Sequence, residues 1–226
     1  MIGTNIAGQK VGSEFSLPIQ AFLVQSAGRS VLIDTGSSNA WRHTTGRLYE
    51  ALDEAGIARD LIETIAITHC HVDHLGGLVM PNGDIAFPNA NRIFVPTIEH
   101  HLFKAEARLS SVFESLLPLE DGDMVIDSIQ AMALHGHEVG HTGFWVKSGE
   151  ESLLIWGDIV HKPDVQFAKP EVAWEYDTDK DLARQTRKMI FDLVNKLGVP
   201  VAGAHLDFPG IGFVIARENG FEFRSL

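Results

Sequence analysis

Four potential metal donors lie within six residues near the end of the first third of the chain. The stretch THCHVDHLGG, residues 68–77, contains His69, His71, Asp73 and His74. Imidazole nitrogen and carboxylate oxygen are ligands for zinc and related divalent ions. Donors at i and i+2 on an extended segment point to the same side, so His69 and His71 can bind one ion. The other two donors follow after a turn and can face a second ion, and such paired ions are typically about 3.5–4 Å apart.

Three later segments offer further donors, each after an apolar run that is typical of a strand. These donors are His137 and His141, Asp158, and His205. Rigid elements hold ligands more accurately than mobile loops do. We therefore expect donors at these strand ends to complete the site that the first cluster begins.

The elements that must position these donors follow from apolar spacing and turn residues. Hairpins are predicted over 19–36, 144–158 and 212–223, single strands over 63–69, 91–96 and 199–205, and two strands or one bent strand over 123–134. Helices are predicted over 45–55 and 97–109, and a longer one begins after Asp179 and ends at Gly198. With no composition break and no internal repeat, residues 1–226 are predicted to form one α/β domain.

Composition restricts the partners and the compartment. The formal net charge of -12 repels nucleic acid and anionic lipid. No run reaches the roughly 18–20 apolar residues of a membrane span, and the N-terminus lacks the order of a signal peptide. Cys70 is the only cysteine, which excludes an internal disulfide. We predict a cytoplasmic protein with a small-molecule substrate and with neither nucleic acid nor membrane as a partner.

The HxHxDH motif at 69–74, followed by GHEVGH, Asp158 and His205, resembles the metallo-β-lactamase superfamily over nearly the whole chain. The resemblance implies a four-layer αβ/βα sandwich of two mixed sheets flanked by helices, with a dinuclear metal site at one rim. By motif position it implies a first metal on His69, His71 and His137, a second on Asp73, His74 and His205, and Asp158 as the bridge. His137 is preferred to His141 because the GHxxGH pattern uses its first histidine. The LIDTG segment around Asp34 is similar to a family turn that hydrogen-bonds ligands.

Three segments, 87–95, 157–167 and 204–213, resemble the branch with methyl parathion hydrolase and the N-acyl-homoserine lactonases. Those lactonases carry a tyrosine three residues after the bridging aspartate, where this chain has His161. Methyl parathion hydrolase is known for an aromatic pocket. Trp41, Phe87, Phe144, Phe167 and Phe208 are the candidates for one here.

The resemblance implies a dinuclear metal-dependent hydrolase of small esters, lactones or organophosphate-like compounds, with attack by a metal-bridging hydroxide. Asp158 would hold the ions, and Asp73 would accept the hydrogen bond of the nucleophile. His161 is a candidate to contact the substrate or protonate the leaving group, and structural support of the ligands is the alternative. The donor set suits two divalent ions, zinc first, although manganese, cobalt and iron are also suited.

Alternatives remain open. The same ligands occur in glyoxalase II-like thioester hydrolases and in mononuclear iron sulfur dioxygenases, and a binding protein could keep the fold. A homodimer could form through the N-terminal segment and the apolar residues of 97–119, which could equally form a lid. Structural or surface roles are expected for the other histidines and packing for Cys70; the histidines concerned are His43, His100, His101, His135 and His141.

Overall fold

The computed structural model describes residues 17–26, 28–38 and 44–226. These residues fall into two compact units, an N-terminal unit of Ile19–Val125 and a C-terminal unit that comprises Ile126–Leu226 together with residues 17 and 18. The prediction of a single domain stays a prediction. Trp41 and His43 lie outside the described residues. Within the described ranges, no helix combines the length and the apolar character needed to cross a bilayer.

The N-terminal unit contains a five-stranded mixed sheet. Its strands are β1 Phe22–Ser26, β2 Arg29–Ile33, β3 Thr64–Ala66, β4 Arg92–Pro96 and β5 Leu116–Leu119. They lie in the order β1-β2-β3-β4-β5. The first pair is antiparallel and every later pair is parallel. Parallel strands are covered on both faces, which explains why β3 is buried along its whole length.

Short helices follow the parallel strands of this sheet. They are α1 Leu48–Glu54, α2 Val72–Leu75 and α3 His100–Ala105, with 3₁₀ turns at Arg59–Leu61, Gly76–Leu78, Thr97–Glu99 and Ala107–Ser115. The core between helices and sheet includes Leu32, Ile65, Ile93 and Phe103. Burial of these apolar side chains is the main stabilising contribution to the unit.

The second sheet has seven strands and belongs mainly to the C-terminal unit. Its strands are β6 Met124–Ile126, β7 Ile129–Ala133, β8 Thr142–Ser148, β9 Glu151–Ile155, β10 Val201–Ala202, β11 Ile211–Arg217 and β12 Gly220–Ser225. They lie in the order β12-β11-β10-β9-β8-β7-β6. The β9–β10 pair is parallel, whereas β7–β8, β8–β9, β10–β11 and β11–β12 are antiparallel.

Two helices complete this unit, α4 Pro163–Gln166 and α5 Lys180–Leu197. As predicted, the Asp179 side chain caps α5 by accepting hydrogen bonds from the backbone N–H groups of Asp181 and Leu182, and Gly198 ends it in the left-handed conformation. The apolar face of α5 places Ile190 and Phe191 in the core beside Trp156. The helix is therefore fixed against the sheet.

The predicted fold class of an α/β protein with two mixed sheets flanked by helices is confirmed, and so are the three hairpins. The ends of three strands were predicted wrongly. β3 ends at Ala66, β9 at Ile155 and β10 at Ala202, so His69, Asp158 and His205 each lie three residues after the end of a strand. Backbone N–H groups beyond these ends bond outside the regular strand ladder. The Thr68 N–H donates to the Asp34 carboxylate, and the Ala204 N–H donates to the Gly157 carbonyl.

The predicted helix over 97–109 is also wrong in extent, because α3 covers only His100–Ala105 and 3₁₀ turns flank it. Much of the apolar character of 97–119 is used inside the N-terminal unit, where Phe103, Leu109, Val112 and Leu116 are buried in the core. These side chains need neither a second copy nor a lid function. A homodimer stays a prediction.

The core of the N-terminal unit offers a matched test of packing. Leu32 is fully buried, whereas Leu61 is 64% exposed. We expect Leu32→Ala to lower the free energy of unfolding by about 2–5 kcal/mol, and Leu61→Ala to change it by no more than about 0.5 kcal/mol. Urea unfolding followed by circular dichroism measures both, and equal losses for the two variants would contradict this assignment of the core.

Candidate metal centre

The first cluster of donors lies in the N-terminal unit, in the turn between β3 and α2 and on α2 itself. His69 and His71 precede the helix, and Asp73 and His74 are within its single turn. His69 and His74 are fully buried, while His71 and Asp73 are partly exposed. The polar side chains of this turn therefore need partners inside the protein.

Asp34 supplies those partners. One of its carboxylate oxygens accepts the Thr68 N–H at 2.8 Å. The other accepts the Thr68 hydroxyl at 3.0 Å and the His74 Nδ1–H at 2.8 Å. Because the Thr68 hydroxyl donates its proton to Asp34, the Thr68 hydroxyl oxygen accepts the His69 Nδ1–H at 3.0 Å. Both imidazoles are thereby held as the Nδ1–H tautomer, in which Nε2 carries the lone pair that ligates a metal.

The backbone conformation around Asp34 brings its carboxylate to His74 and Thr68. Asp34 has a positive φ of 59°, a conformation that aspartate tolerates better than most residues. The next residue, Thr35, donates its N–H to the His74 carbonyl at 2.7 Å. A Cβ on Gly77 would lie 2.1 Å from the Thr35 carbonyl oxygen, so only glycine allows this approach. The LIDTG segment thus hydrogen-bonds a predicted ligand, as the sequence led us to expect.

The imidazoles of His69 and His71 meet edge to face. His69 Nε2 lies 2.9 Å from His71 Nδ1. Two nitrogens on one ion at about 2.0–2.1 Å are separated by about 3.3 Å in tetrahedral geometry and by about 2.9 Å at a right angle. The observed spacing therefore fits two ligands of one cation.

The second cluster lies in the C-terminal unit and surrounds one carboxylate oxygen. Asp158 Oδ2 is 3.3 Å from His137 Nε2, 3.1 Å from His205 Nε2 and 3.0 Å from His161 Nε2. All four residues are buried. The imidazoles of His137 and His205 and the Asp158 carboxylate, with their donor atoms this close, form a set that suits a divalent cation.

The outer nitrogens of two of these histidines are engaged by the protein. His137 Nδ1 donates to Asp177 Oδ1 at 3.0 Å, and His205 Nδ1 donates to the Pro18 carbonyl at 2.6 Å. As in the first cluster, Nε2 is left as the nitrogen for metal. Sequence reasoning missed Asp177, because no motif marks it and it lies forty residues after its partner.

His141 has a different role. Its Nδ1 donates to the Leu134 carbonyl at 2.8 Å, and its Nε2 accepts the Asp158 N–H at 2.9 Å. Since both ring nitrogens contact the backbone, His141 supports the turn that carries Asp158. This agrees with the choice of His137 over His141 as the donor.

His161 stacks between Trp174 and His205, with ring centroids 5.0 Å and 4.9 Å away. Burial lowers the pKa of its imidazole well below the usual range, although Asp158 acts in the opposite direction. A neutral imidazole whose Nε2–H donates to Asp158 is therefore the favoured state. Its Nδ1 has no hydrogen-bond partner among the residues that the structure describes. This arrangement favours support of Asp158 over protonation of a leaving group.

The structure thus divides the seven predicted ligands into two clusters. His69, His71, Asp73 and His74 lie together in one unit, and His137, Asp158 and His205 lie together in the other. In each cluster the donors are imidazoles and carboxylates, and in four of the imidazoles, those of His69, His74, His137 and His205, Nδ1 is bonded to a protein acceptor. The residues present therefore fit divalent metal.

Three of the five rings proposed for an aromatic pocket are buried, and a fourth, Trp41, lies outside the described residues. Phe87, Phe144 and Phe167 are buried, and Phe87 and Phe167 belong to the hydrophobic cores of their units. These rings are buried because they pack against the apolar faces of neighbouring strands and helices. Phe208, in contrast, is 93% exposed.

Cys70 packs beside the core of the N-terminal unit, as expected, and its backbone N–H donates to the buried Glu99 carboxylate at 2.7 Å. His101 and His135 are exposed, and His100 is half-buried. Glu99 is a second residue that the sequence did not single out, and it secures the turn between His69 and His71.

A family model described as the metallo-beta-lactamase superfamily matches residues 16–205. Hydroxyacylglutathione hydrolase 2 of Vibrio vulnificus is 32% identical over 107 residues, which are 44% of this chain and 33% of that protein. The match thus spans about a third of that relative's length.

Two solved structures are similar over most of this chain. AidC, a dizinc quorum-quenching lactonase in complex with a product, has 27% identity and a TM-score of 0.83, covering 93% of this chain and 80% of that one. The hydrolase AbOPH, in the beta lactamase superfamily, has 29% identity and a TM-score of 0.80, covering 92% and 79%.

Asp34 offers a test of the hydrogen-bond network without any metal. An asparagine there can accept from Thr68 N–H, but its amide N–H₂ then faces the Thr68 hydroxyl and His74 Nδ1. We expect Asp34→Asn to lower the stability of the metal-free protein by about 1–3 kcal/mol. Asp53→Asn, an exposed carboxylate of the same unit, is the matched control. Equal urea midpoints for the two variants would contradict the network.

Proposed function

The chain belongs to the metallo-beta-lactamase superfamily, and we propose that it is a dinuclear metal-dependent hydrolase of small esters or lactones. The observation that carries the proposal is the state of the clustered histidines. His69, His74, His137 and His205 each have Nδ1 held by a protein acceptor. This arrangement presents four Nε2 lone pairs, the chemistry that a divalent cation requires.

We propose that the two clusters act together on a pair of cations. His69, His71 and His137 would hold the first, Asp73, His74 and His205 the second, and Asp158 both. The family match supports this assignment, and so do the donor types in each unit. Zinc is the first candidate, because AidC is a dizinc protein and histidine with carboxylate suits zinc.

Divalent cations bound at such a site acidify water and polarise the carbonyl or phosphoryl oxygen of a substrate. The residues of the chain supply position and proton acceptors. The Nε2–H of His161 donates to the Asp158 carboxylate, and the backbone N–H of Asp158 donates to His141. Asp73, which is partly exposed, would accept a hydrogen bond from the attacking water. His161 would keep the orientation of Asp158 through its Nε2–H.

The similarity to AidC supports small lactones or esters as substrates. A second candidate is a thioester hydrolase of the glyoxalase kind, which the sequence similarity to hydroxyacylglutathione hydrolase 2 favours. A mononuclear iron dioxygenase would differ in metal content. Cytoplasmic localisation and a homodimer stay predictions from the sequence.

The substrate class can be determined by measuring hydrolysis of a panel of substrates with protein whose metal content is known. We expect lactones and aryl esters to be cleaved faster than S-lactoylglutathione and phosphotriesters, and two divalent ions to be found per chain. Pure thioesterase activity would establish the second candidate instead. A single iron per chain with oxygen uptake would reject hydrolysis.

The ligand assignment is decided by metal content. We expect His137→Gln, Asp158→Asn and His205→Gln each to lose part of the bound metal and to lower kcat/KM by about 100-fold or more, a fall of about 2.7 kcal/mol in transition-state stabilisation. His101→Gln, an exposed histidine, should keep both values. Full metal content and turnover in Asp158→Asn would refute the bridging role.

A further inference from the structure

A buried arginine on α5 connects the loops that carry two predicted ligands. Arg187 is 1% exposed. Its Nε donates to the Ile159 carbonyl at 2.7 Å, directly after Asp158. One of its terminal nitrogens donates to the carbonyls of Pro170 and Val172, at 2.9 Å each. Burial lowers its pKa to about 10, although Asp177 acts in the opposite direction, so Arg187 is still a cation at neutral pH.

Asp177 lies between this cation and His137. Its Oδ1 accepts His137 Nδ1–H at 3.0 Å. Its Oδ2 accepts the Trp174 N–H at 2.8 Å and lies 3.9 Å from an Arg187 terminal nitrogen. The Asp177 side chain has no exposed surface. Both oxygens therefore face donors, and the negative charge is balanced inside the protein.

The backbone around His137 is joined to the same region. The Thr178 N–H donates to the His137 carbonyl and the Asp179 N–H to the Gly136 carbonyl, at 2.9 Å each. A Cβ on Gly136 would lie 2.3 Å from the Ala183 nitrogen, so the loop approaches the start of α5 more closely than other residues permit. The main chain of His137 is thus fixed to α5, and the remaining freedom is in its imidazole.

We propose that Arg187 and Asp177 are positioning residues that fix the tautomer and orientation of the His137 imidazole and thereby raise its affinity for divalent metal. This inference rests on the proposed metal site. It assigns a function to a buried ion pair that contacts no substrate, and it makes helix α5 part of the metal-binding apparatus.

The physical reason is the number of acceptors that Asp177 provides. An asparagine has one acceptor oxygen for two donors, His137 Nδ1–H and Trp174 N–H. If the oxygen stays with Trp174, the amide N–H₂ faces His137 and favours the tautomer with the proton on Nε2. That proton must then be lost before Nε2 can bind metal. Loss of such outer partners typically weakens metal binding about 10–100-fold.

The test is the zinc affinity of the full-length chain, measured by competition with a chromophoric chelator. We expect Asp177→Asn to weaken the binding of at least one zinc equivalent about 10–100-fold while its circular dichroism spectrum stays unchanged. Asp192→Asn is the matched control, since this carboxylate is on α5, is 57% exposed and pairs only with surface Lys188 among the ion pairs described. It should bind zinc as the parent does.

A second variant separates positioning from general stability. Arg187→Lys keeps a cation, but its single nitrogen cannot occupy both the Nε position that donates to Ile159 and the terminal position that donates to Pro170 and Val172. If Arg187 acts through Asp177, the double variant should bind zinc no more than about 2-fold weaker than Asp177→Asn alone. Effects on affinity that multiply would overturn the linked action of the two residues.

A measurement on the parent protein keeps the inference testable even if both variants fail to fold. We expect ¹⁵N–¹H spectra of the histidine rings to show His137 protonated on Nδ1, and an Nε2-protonated ring would overturn the proposal. The outcomes also distinguish two failures. A parent that binds no zinc refutes the proposed function, whereas a parent and an Asp177→Asn variant with equal affinity refute only the positioning role.

Discussion

An imidazole binds a metal through one nitrogen only when the proton resides on the other, and most of the structure around the two clusters serves this requirement. In the N-terminal unit, Asp34 and Thr68 hold Nδ1 of His74 and His69. In the C-terminal unit, Asp177 and the Pro18 carbonyl hold Nδ1 of His137 and His205. Four partners of three types, two carboxylates, a hydroxyl and a backbone carbonyl, produce the same tautomer. The shared feature is therefore a chemical state of histidine rather than a repeated sequence pattern.

Burial makes this requirement stringent. A polar atom that loses water and gains no partner costs about 1–3 kcal/mol, so a cluster of buried histidines is tolerable only with its acceptors in place. The acceptors in turn need the sheets. Asp34 follows β2, and the Thr68 N–H leaves the path of β3 to reach it. The early end of β3 is thus a consequence of the site, since the Thr68 N–H bonds to the Asp34 carboxylate that holds His74 and not to a neighbouring strand.

The limits of prediction follow from the same physics. Local signals identified the hairpins and α5 with its Asp179 cap, because spacing and composition encode them directly. Asp34 and Asp177 each lie forty residues from the imidazole they hold. The first was recognisable through the LIDTG resemblance. The second has no motif, and only the folded backbone between His137 and α5 brings it into contact.

The buried charges of the C-terminal unit set a final constraint on how the site could change. Asp177 is balanced by Arg187, and Arg187 is bonded to the carbonyl that follows Asp158. Removing one member leaves an uncompensated buried charge, which costs more than the pair contributes. His161 lies in the same unit, stacked on the ring of Trp174, and the backbone N–H of Trp174 donates to the Asp177 carboxylate. A substitution at His161 therefore removes two contacts, the stacking on the Trp174 ring and the hydrogen bond to Asp158. The residue that departs from the lactonase pattern is consequently in contact with the network around His137.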